Sequence, residues 1–121
     1  MPFVSTVQMM KFRDLKIWQK GIEIVKNCYV LTANFPESEK FGLVSQMRRS
    51  AVSIPSNIAE GNGRETDKEF LRFLYIARGS LAELDTQQVL AKELGFGKSE
   101  EPATQIEEMY KMLHTFMQRL Q

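Results

Sequence analysis

The sequence has a single cysteine, no long apolar run and no pattern typical of β-strands. Cys28 stands alone, which excludes a disulfide framework and a cysteine-based metal site and favours a reducing compartment. No apolar segment approaches the ~20 residues that a membrane-spanning helix needs, so we expect no membrane association. The first ten residues lack an early basic patch and a long apolar core, so we expect no signal peptide and a cytoplasmic location.

The composition is that of an ordinary globular domain. Hydrophobic residues make up 43% of the 121 residues and charged residues 26%, which is enough for one domain with its own core. Residues 1–53 carry 8 Lys/Arg and 4 Asp/Glu, whereas residues 54–121 carry 8 and 11. The mildly basic first part indicates either an anionic partner or self-association of oppositely charged surfaces.

Apolar residues recur at intervals of three and four. This period predicts helices over residues 14–34, 38–60 and 66–94, and a fourth helix that begins between residues 99 and 102. Short connections join them, so the sequence predicts an all-α, antiparallel up-down-up-down four-helix bundle over residues 13–121. Residues 1–12 show no period, and we expect a flexible N-terminal segment there.

Capping residues mark several helix ends. Asp14 is the expected N-cap of the first helix, and Thr66, with a glutamate three positions later, predicts a capping box. We expect glycines to close the second helix in a left-handed cap at residues 61–63 and the third at Gly95. Pro55 lies inside the second helix, where we expect a kink rather than an end.

The first helix carries two apolar seams. They consist of Leu15, Trp18, Ile22, Val25, Tyr29 and Thr32, and of Ile17, Gly21, Ile24, Cys28 and Leu31. One seam is enough for a bundle core, so two seams predict burial on two sides and favour a contact with another subunit.

The second helix adds a polar stripe to its apolar seam. The stripe consists of Arg49, Ser53, Asn57 and Glu60, and the third helix offers Arg78, Ser80 and Glu83 as partners. If the two helices pack together, we expect an Arg49–Glu83 ion pair. Two interpretations stay open: a binding site, and a structural polar network that fixes the register of the two helices.

Seven basic residues are candidate nucleic-acid contacts. They are Arg13, Lys16, Lys20, Arg48, Arg64, Arg72 and Arg78, of which the first three step by 3 and 4 along one helix face. Nucleic-acid binding needs cations along a phosphate track. One chain offers too few for tight binding, but an oligomer would multiply them. Interleaved acidic residues leave an ordinary solvated surface as the alternative.

No catalytic or metal-binding pattern is recognisable. His114 has no metal-ligand neighbours at helical spacing, and Cys28 lies on an apolar seam without an adjacent base. The glycines at residues 61–63 lack the Lys-Ser/Thr ending of a phosphate-binding loop. We therefore expect neither enzyme activity nor a cofactor nor a metal.

A longer pattern extends across the first three helices. Residues 46–64, QMRRSAVSIPSNIAEGNGR, strongly resemble the signature of the 23S rRNA intervening-sequence protein family, also called the four-helix-bundle protein family. The similarity includes DLKIWQK at residues 14–20 and EFLRFLYIARGSLAEL at residues 69–84. The resemblance implies an up-down bundle that assembles as a ring, with a pentamer expected, and it suggests RNA or DNA binding.

Two functional hypotheses follow. The first is a non-enzymatic, oligomeric helical bundle that binds RNA or DNA as an accessory to another nucleic-acid protein. The second is a protein-interaction scaffold that docks a protein partner and has no nucleic-acid affinity of its own.

Overall fold

The computed structural model describes residues 10–97 and 101–121. These residues contain no β-strand and form four α-helices: α1 at Lys16–Thr32, α2 at Leu43–Asn62, α3 at Asp67–Glu93 and α4 at Glu101–Arg119. Short 3-10 turns at Phe12–Asp14 and Glu37–Glu39 precede α1 and α2. The prediction of an all-α protein with four helices is confirmed. Most of the predicted flexible segment, residues 1–9, lies outside the described residues.

The helices enclose one apolar core. Each helix packs against the next along the chain, and α4 also packs against α1. The predicted seams of α2 and α4 are buried throughout: Val44, Met47, Ala51, Ile54 and Ile58 on α2, and Ile106, Met109, Leu113 and Phe116 on α4 with Leu120 directly after it. Among the described residues, none of the helices combines the length and hydropathy that a membrane crossing requires.

The two seams of α1 have different environments. Ile17, Ile24 and Cys28 lie in the core at 3% exposure or less. On the other seam Trp18, Ile22 and Val25 are only half-buried and Tyr29 is 43% exposed, although Leu15 and Thr32 at its two ends are buried. One chain therefore covers one seam and leaves much of the second at its surface.

The starts of α1 and α2 differ from the prediction. Asp14 is not the N-cap, because it belongs to the preceding 3-10 turn and the extended backbone of Leu15 separates it from α1. α2 begins at Leu43 rather than at residue 38, because a second 3-10 turn and Gly42 come first. The carboxylate of Glu39 accepts a hydrogen bond from the Leu43 backbone N–H at 3.3 Å.

Two of the other predicted helix ends are confirmed. Thr66 Oγ1 accepts a hydrogen bond from the Glu69 backbone N–H at 3.2 Å at the start of α3. Gly95 has φ +83°, and the N–H groups of Gly95 and Phe96 bond to the carbonyls of Lys92 and Ala91, the pattern of a Schellman motif.

The predicted left-handed cap of α2 is wrong. Gly61 is buried inside the helix, and Gly63 has φ −80°. Gly61 is needed for another reason, since a Cβ atom there would lie 2.7 Å from Phe73 Cβ and 2.9 Å from Phe70 Cδ1. α2 also continues through Pro55, which packs against Gly21 of α1.

Candidate nucleic-acid interface and polar groove

A cleft of about 500 Å³ lies between the start of α1 and the second half of α4. Buried Leu15, Ile17 and Phe116 give it apolar walls. Its charged lining comes from Lys16, Lys111, Arg119 and Asp14. Cations therefore outnumber carboxylates three to one around this cleft.

The three cations come from two helices. Lys111 and Arg119 are eight residues apart, so they lie on one face of α4 two turns from each other. Lys16 is the first residue of α1, which α4 contacts. None of the three forms an ion pair with a described residue.

Sequence reasoning missed two members of this cluster. Lys111 and Arg119 lie about a hundred residues after Lys16, so no local spacing links them to the basic residues of the first helix. The available signal was the repeat of four from Lys111 through Thr115 to Arg119, which marks a single helix face.

The predicted basic face of α1 is divided. Arg13 lies in the 3-10 turn before α1, and its guanidinium sits 5.8 Å from the centre of the Phe12 ring. Lys20 donates a hydrogen bond to Glu108 of α4 and lies 3.6 Å from Glu23. The hydrogen bond to Glu108, with the nearby charge of Glu23, raises the pKa of Lys20. The charge of Lys20 therefore contributes to the contact between α1 and α4.

A second hydrogen-bond chain joins α1 and α4. Gln105 is buried at 6% exposure, accepts from Asn27 and donates to Glu23 at 3.1 Å. Further along, Tyr110 donates to Asp85 of α3 at 3.3 Å, and its pKa is raised by burial first and by Asp85 second. α4 is therefore attached to its neighbours by long polar side chains.

The other predicted cations lie apart from the cleft. Arg48 donates to Thr32 Oγ1 at 3.0 Å and stacks 4.3 Å from the Tyr29 ring centre. Arg64 pairs with Glu60 at 3.0 Å. Arg78 and Arg72 are exposed on α3, the former 4.9 Å from the centre of the Tyr75 ring.

A polar groove of about 370 Å³ runs between α2 and α3. We call this the α2–α3 groove; it is lined by Gln46, Arg49, Ser50, Ser53, Ser80, Glu83 and Gln87. At its base the hydroxyl groups of Ser53 and Ser80 lie 2.8 Å apart. Asn57 donates to Ser53 Oγ at 2.9 Å and to the Ser53 carbonyl at 2.8 Å. The structure thus brings Ser53, Asn57 and Ser80 together.

The charged members of the stripe behave differently. Arg49 and Glu83 are exposed and line the same groove, but these two described residues do not form the expected ion pair. Glu60 turns to Arg64 instead of to α3.

Groups with possible catalytic chemistry are dispersed. Cys28 is buried, and this burial raises the pKa of its thiol to about 11. His114 is exposed on α4. The described residues contain no group of three His, Cys, Asp or Glu side chains that could hold a metal ion.

An apolar groove of about 270 Å³ lies between α1 and α2. We call this the α1–α2 groove; it is lined by Trp18, Ile22, Val25, Val52, Pro55, Ser56 and Ala59. Trp18, Ile22 and Val25, half of the α1 seam that begins at Leu15, therefore line the α1–α2 groove. On α3, Tyr75 and Ile76 are also exposed, at 46% and 45%.

The four mutually packed helices define a helical-bundle class of protein, and comparisons with known proteins specify the family. The sequence profile named "23S rRNA-intervening sequence protein" matches residues 13–117. The chain therefore belongs to the 23S rRNA-intervening sequence protein family, as the resemblance predicted.

A solved structure that is similar to this chain has the same fold. It is a protein of unknown function from the S23 ribosomal protein family of Bacteroides thetaiotaomicron, with 23% sequence identity and a TM-score of 0.61. The match covers 86% of this chain and 94% of that chain. No curated protein matches this chain.

Proposed function

We propose that this protein is a non-enzymatic, cytoplasmic accessory protein that binds RNA or DNA as an oligomeric ring of four-helix bundles. The observation that supports binding is the cluster of Lys16, Lys111 and Arg119 on one cleft, free of ion pairs with described residues. Unpaired cations on two helices can contact successive phosphates, with release of counterions. The family name, which refers to intervening sequences of 23S rRNA, favours an RNA context.

Each bundle is antiparallel and up-down-up-down in this proposal. Successive contacts along two helix pairs support this arrangement. Gly61 lies beside Phe73 and the earlier Ser53 beside the later Ser80, which favours opposite directions for α2 and α3. Lys20 meets Glu108 and the later Asn27 meets the earlier Gln105, which favours the same for α1 and α4.

The ring is supported by two unlike apolar surfaces. The α1–α2 groove is concave, whereas Tyr75 and Ile76 are exposed on α3. Insertion of an α3 surface into the groove of the next chain is a heterologous contact, which closes into a ring when the rotation allows it. A pentamer places five copies of the cationic cleft in one assembly, so weak phosphate contacts add together.

The test is a titration with labelled single-stranded RNA, duplex RNA and duplex DNA at low and high salt, with the mass in solution recorded. We expect an oligomer whose affinity falls steeply with salt.

Charge reversal at Lys16, Lys111 and Arg119 should weaken binding about tenfold or more, because a protein that neutralises fewer phosphates releases fewer counterions. Lys40→Glu is the matched control, since Lys40 carries the same charge in the α1–α2 connection, away from the cleft. Equal losses of affinity for the control and the cleft variants would refute the site.

A second candidate function is a protein-interaction scaffold without nucleic-acid affinity. The exposed apolar surface favours it, notably Phe41 at 90% and Val30 at 70% exposure. An oligomer that binds none of the three nucleic acids at either salt concentration would support the scaffold. A monomer near 14.0 kDa would refute the ring in both hypotheses.

A further inference from the structure

We propose that the α2–α3 groove binds a small zwitterion of the α-amino-acid type, with the ligand carboxylate on Arg49 and the ligand ammonium group on Glu83. The groove is separate from the cationic α1–α4 cleft, so the proposal does not depend on nucleic-acid binding.

The arrangement of charge selects a dipolar ligand. Arg49 on α2 and Glu83 on α3 line the same groove with opposite charges, and neither forms an ion pair with a described residue. A simple anion attracted by Arg49 would be repelled by Glu83. A simple cation attracted by Glu83 would be repelled by Arg49. A ligand with both charges satisfies both side chains, and hydrogen bonds to charged groups are the stronger kind.

The groove wall also contains a hydrogen-bond acceptor, on the side chain of Gln87, that lacks a donor. Gln87 Oε1 is buried and accepts no hydrogen bond from any described residue. The large majority of buried polar atoms in proteins have a hydrogen-bond partner, so an acceptor without one in a groove wall needs an explanation. Because solvent does not reach Oε1 in the observed position, the half-buried Gln87 side chain must rotate to accept a hydrogen bond from a ligand N–H or O–H group.

The base of the groove is already fixed. Ser53 and Ser80 hold α2 and α3 together at 2.8 Å, and Asn57 orients Ser53 from the next turn. Arg49 lies one turn before Ser53 on α2, and Glu83 about one turn after Ser80 on α3. The two charged groups therefore project from helices held at a set separation, and a volume of about 370 Å³ lies between them.

These features predict a polar amino acid rather than an apolar one. The lining residues are glutamines, serines and two charged side chains, so a leucine side chain would lose water there without apolar contact. A carboxamide side chain, as in glutamine, offers donors for Gln87 and an acceptor for the amide of Gln46.

Isothermal titration of the full chain in its native assembly tests the proposal. The probes are L-glutamine, N-acetyl-L-glutamine, which lacks the ammonium group, L-glutaminamide, which lacks the carboxylate, and L-leucine. We expect saturable binding of L-glutamine with one site per chain. The other three should bind about tenfold more weakly or worse, since each lacks either one of the two charged groups or the side-chain donor.

Two substitutions assign the ends of the ligand. Arg49→Met should weaken L-glutamine binding about tenfold and affect L-glutaminamide much less, and Glu83→Gln should do the same with N-acetyl-L-glutamine as the insensitive ligand. Both residues are exposed and form no ion pair with a described residue, so neither substitution should change the melting temperature. Arg78→Met is the control, because Arg78 lies on α3 but does not line the groove.

Three outcomes would overturn the proposal. One is the absence of saturable binding for all four probes, and another is L-glutamine binding that survives Arg49→Met unchanged. The third is dissociation of the oligomer by Arg49→Met or Glu83→Gln without any bound ligand, which would make the groove a subunit contact.

Discussion

The contact between α2 and α3 and the contact between α1 and α4 are built from different residues. α2 and α3 meet through small side chains, with Ser53 beside Ser80 and Gly61 beside Phe73. α1 and α4 are bridged by long polar side chains, from Lys20 to Glu108 and from Asn27 to Gln105. Small residues permit close approach of two backbones, whereas long side chains span a gap and keep their charged ends near water.

This difference assigns a different chemistry to each contact. The gap between α1 and α4 forms a cleft with apolar walls and three cations, which suits a polyanion. The close contact between α2 and α3 produces a narrower groove with one charge of each sign, which suits a dipolar ligand. Either contact can be weakened by substitution while the other stays intact as a reference.

The largest effect is expected where α2 and α3 are closest. Gly61→Ala would place a Cβ atom 2.7 Å from Phe73 Cβ and 3.2 Å from the Phe70 carbonyl oxygen. Because backbone and Cβ atoms cannot rotate away, the helices must separate, at a cost of about 2–3 kcal/mol in the free energy of unfolding. Urea denaturation measures this loss, which exceeds the ~1 kcal/mol that alanine gains over glycine in a helix.

Gly79→Ala is the matched control. Gly79 lies inside α3, and a Cβ atom there would have no heavy atom within 4 Å. This substitution should stabilise the protein by about 0.5–1 kcal/mol. If both alanine variants gained stability alike, the close approach at Gly61 would not be a packing constraint.

The next effect is expected in the α1–α4 contact. Gln105→Ala removes a buried amide that accepts from Asn27 and donates to Glu23. Half-buried Asn27 loses its partner, so the free energy of unfolding should fall by about 1–2 kcal/mol. A double-mutant cycle with Asn27→Ala measures the pair directly, and a coupling energy near zero would contradict the hydrogen bond.

A smaller effect is expected in the α2–α3 polar network. Ser53→Ala removes the hydroxyl that lies beside Ser80 and accepts from Asn57. We expect a loss of about 0.5–1.5 kcal/mol in thermal or urea denaturation, the usual net value of such hydrogen bonds.

Arg49→Ala provides the comparison, because it removes an exposed side chain of the same groove. Its effect should stay within about 0.5 kcal/mol. A larger loss for Arg49→Ala than for Ser53→Ala would show that the charged side chain, not the hydroxyl, joins the helices.

Much of the fold could be predicted from local pattern. The seams of α2 and α4, the N-cap at Thr66 and the glycine cap at Gly95 depend on residues close in sequence, and all are present. The starts of α1 and α2 could not be placed, because 3-10 turns use the same residue types as a first helical turn.

The sites depend on relations between distant residues. Lys16 and Arg119 line one cleft only because α4 returns to the start of α1, which no local pattern shows. Arg49 and Glu83 line one groove but do not form the predicted ion pair, because pairing depends on side-chain positions that helical spacing does not determine. The glycine pattern at residues 61–63 predicts a cap, whereas the packing of Gly61 against Phe73 appears only in the three-dimensional contact.

Among substitutions that remove an observed contact, the smallest effect is expected for the ion pair of the α1–α4 contact. Lys20→Met keeps most of the side-chain volume and removes the charge that meets Glu108 and Glu23. Glu108 is 54% exposed, so water screens the pair, and the loss at neutral pH should be only about 0.2–1 kcal/mol.

The sign of its pH dependence follows from the pKa of Lys20, which the hydrogen bond to Glu108 and the charge of Glu23 raise above 10.5. The folded state therefore holds the lysine proton more tightly than the unfolded state. The stabilisation is fully present below pH 10.5 and is lost as the pH rises through the folded-state value. Urea denaturation of the wild type and Lys20→Met across this range should show the two curves converging at high pH. A difference that stays constant with pH would mean that Lys20 stabilises the contact by packing alone.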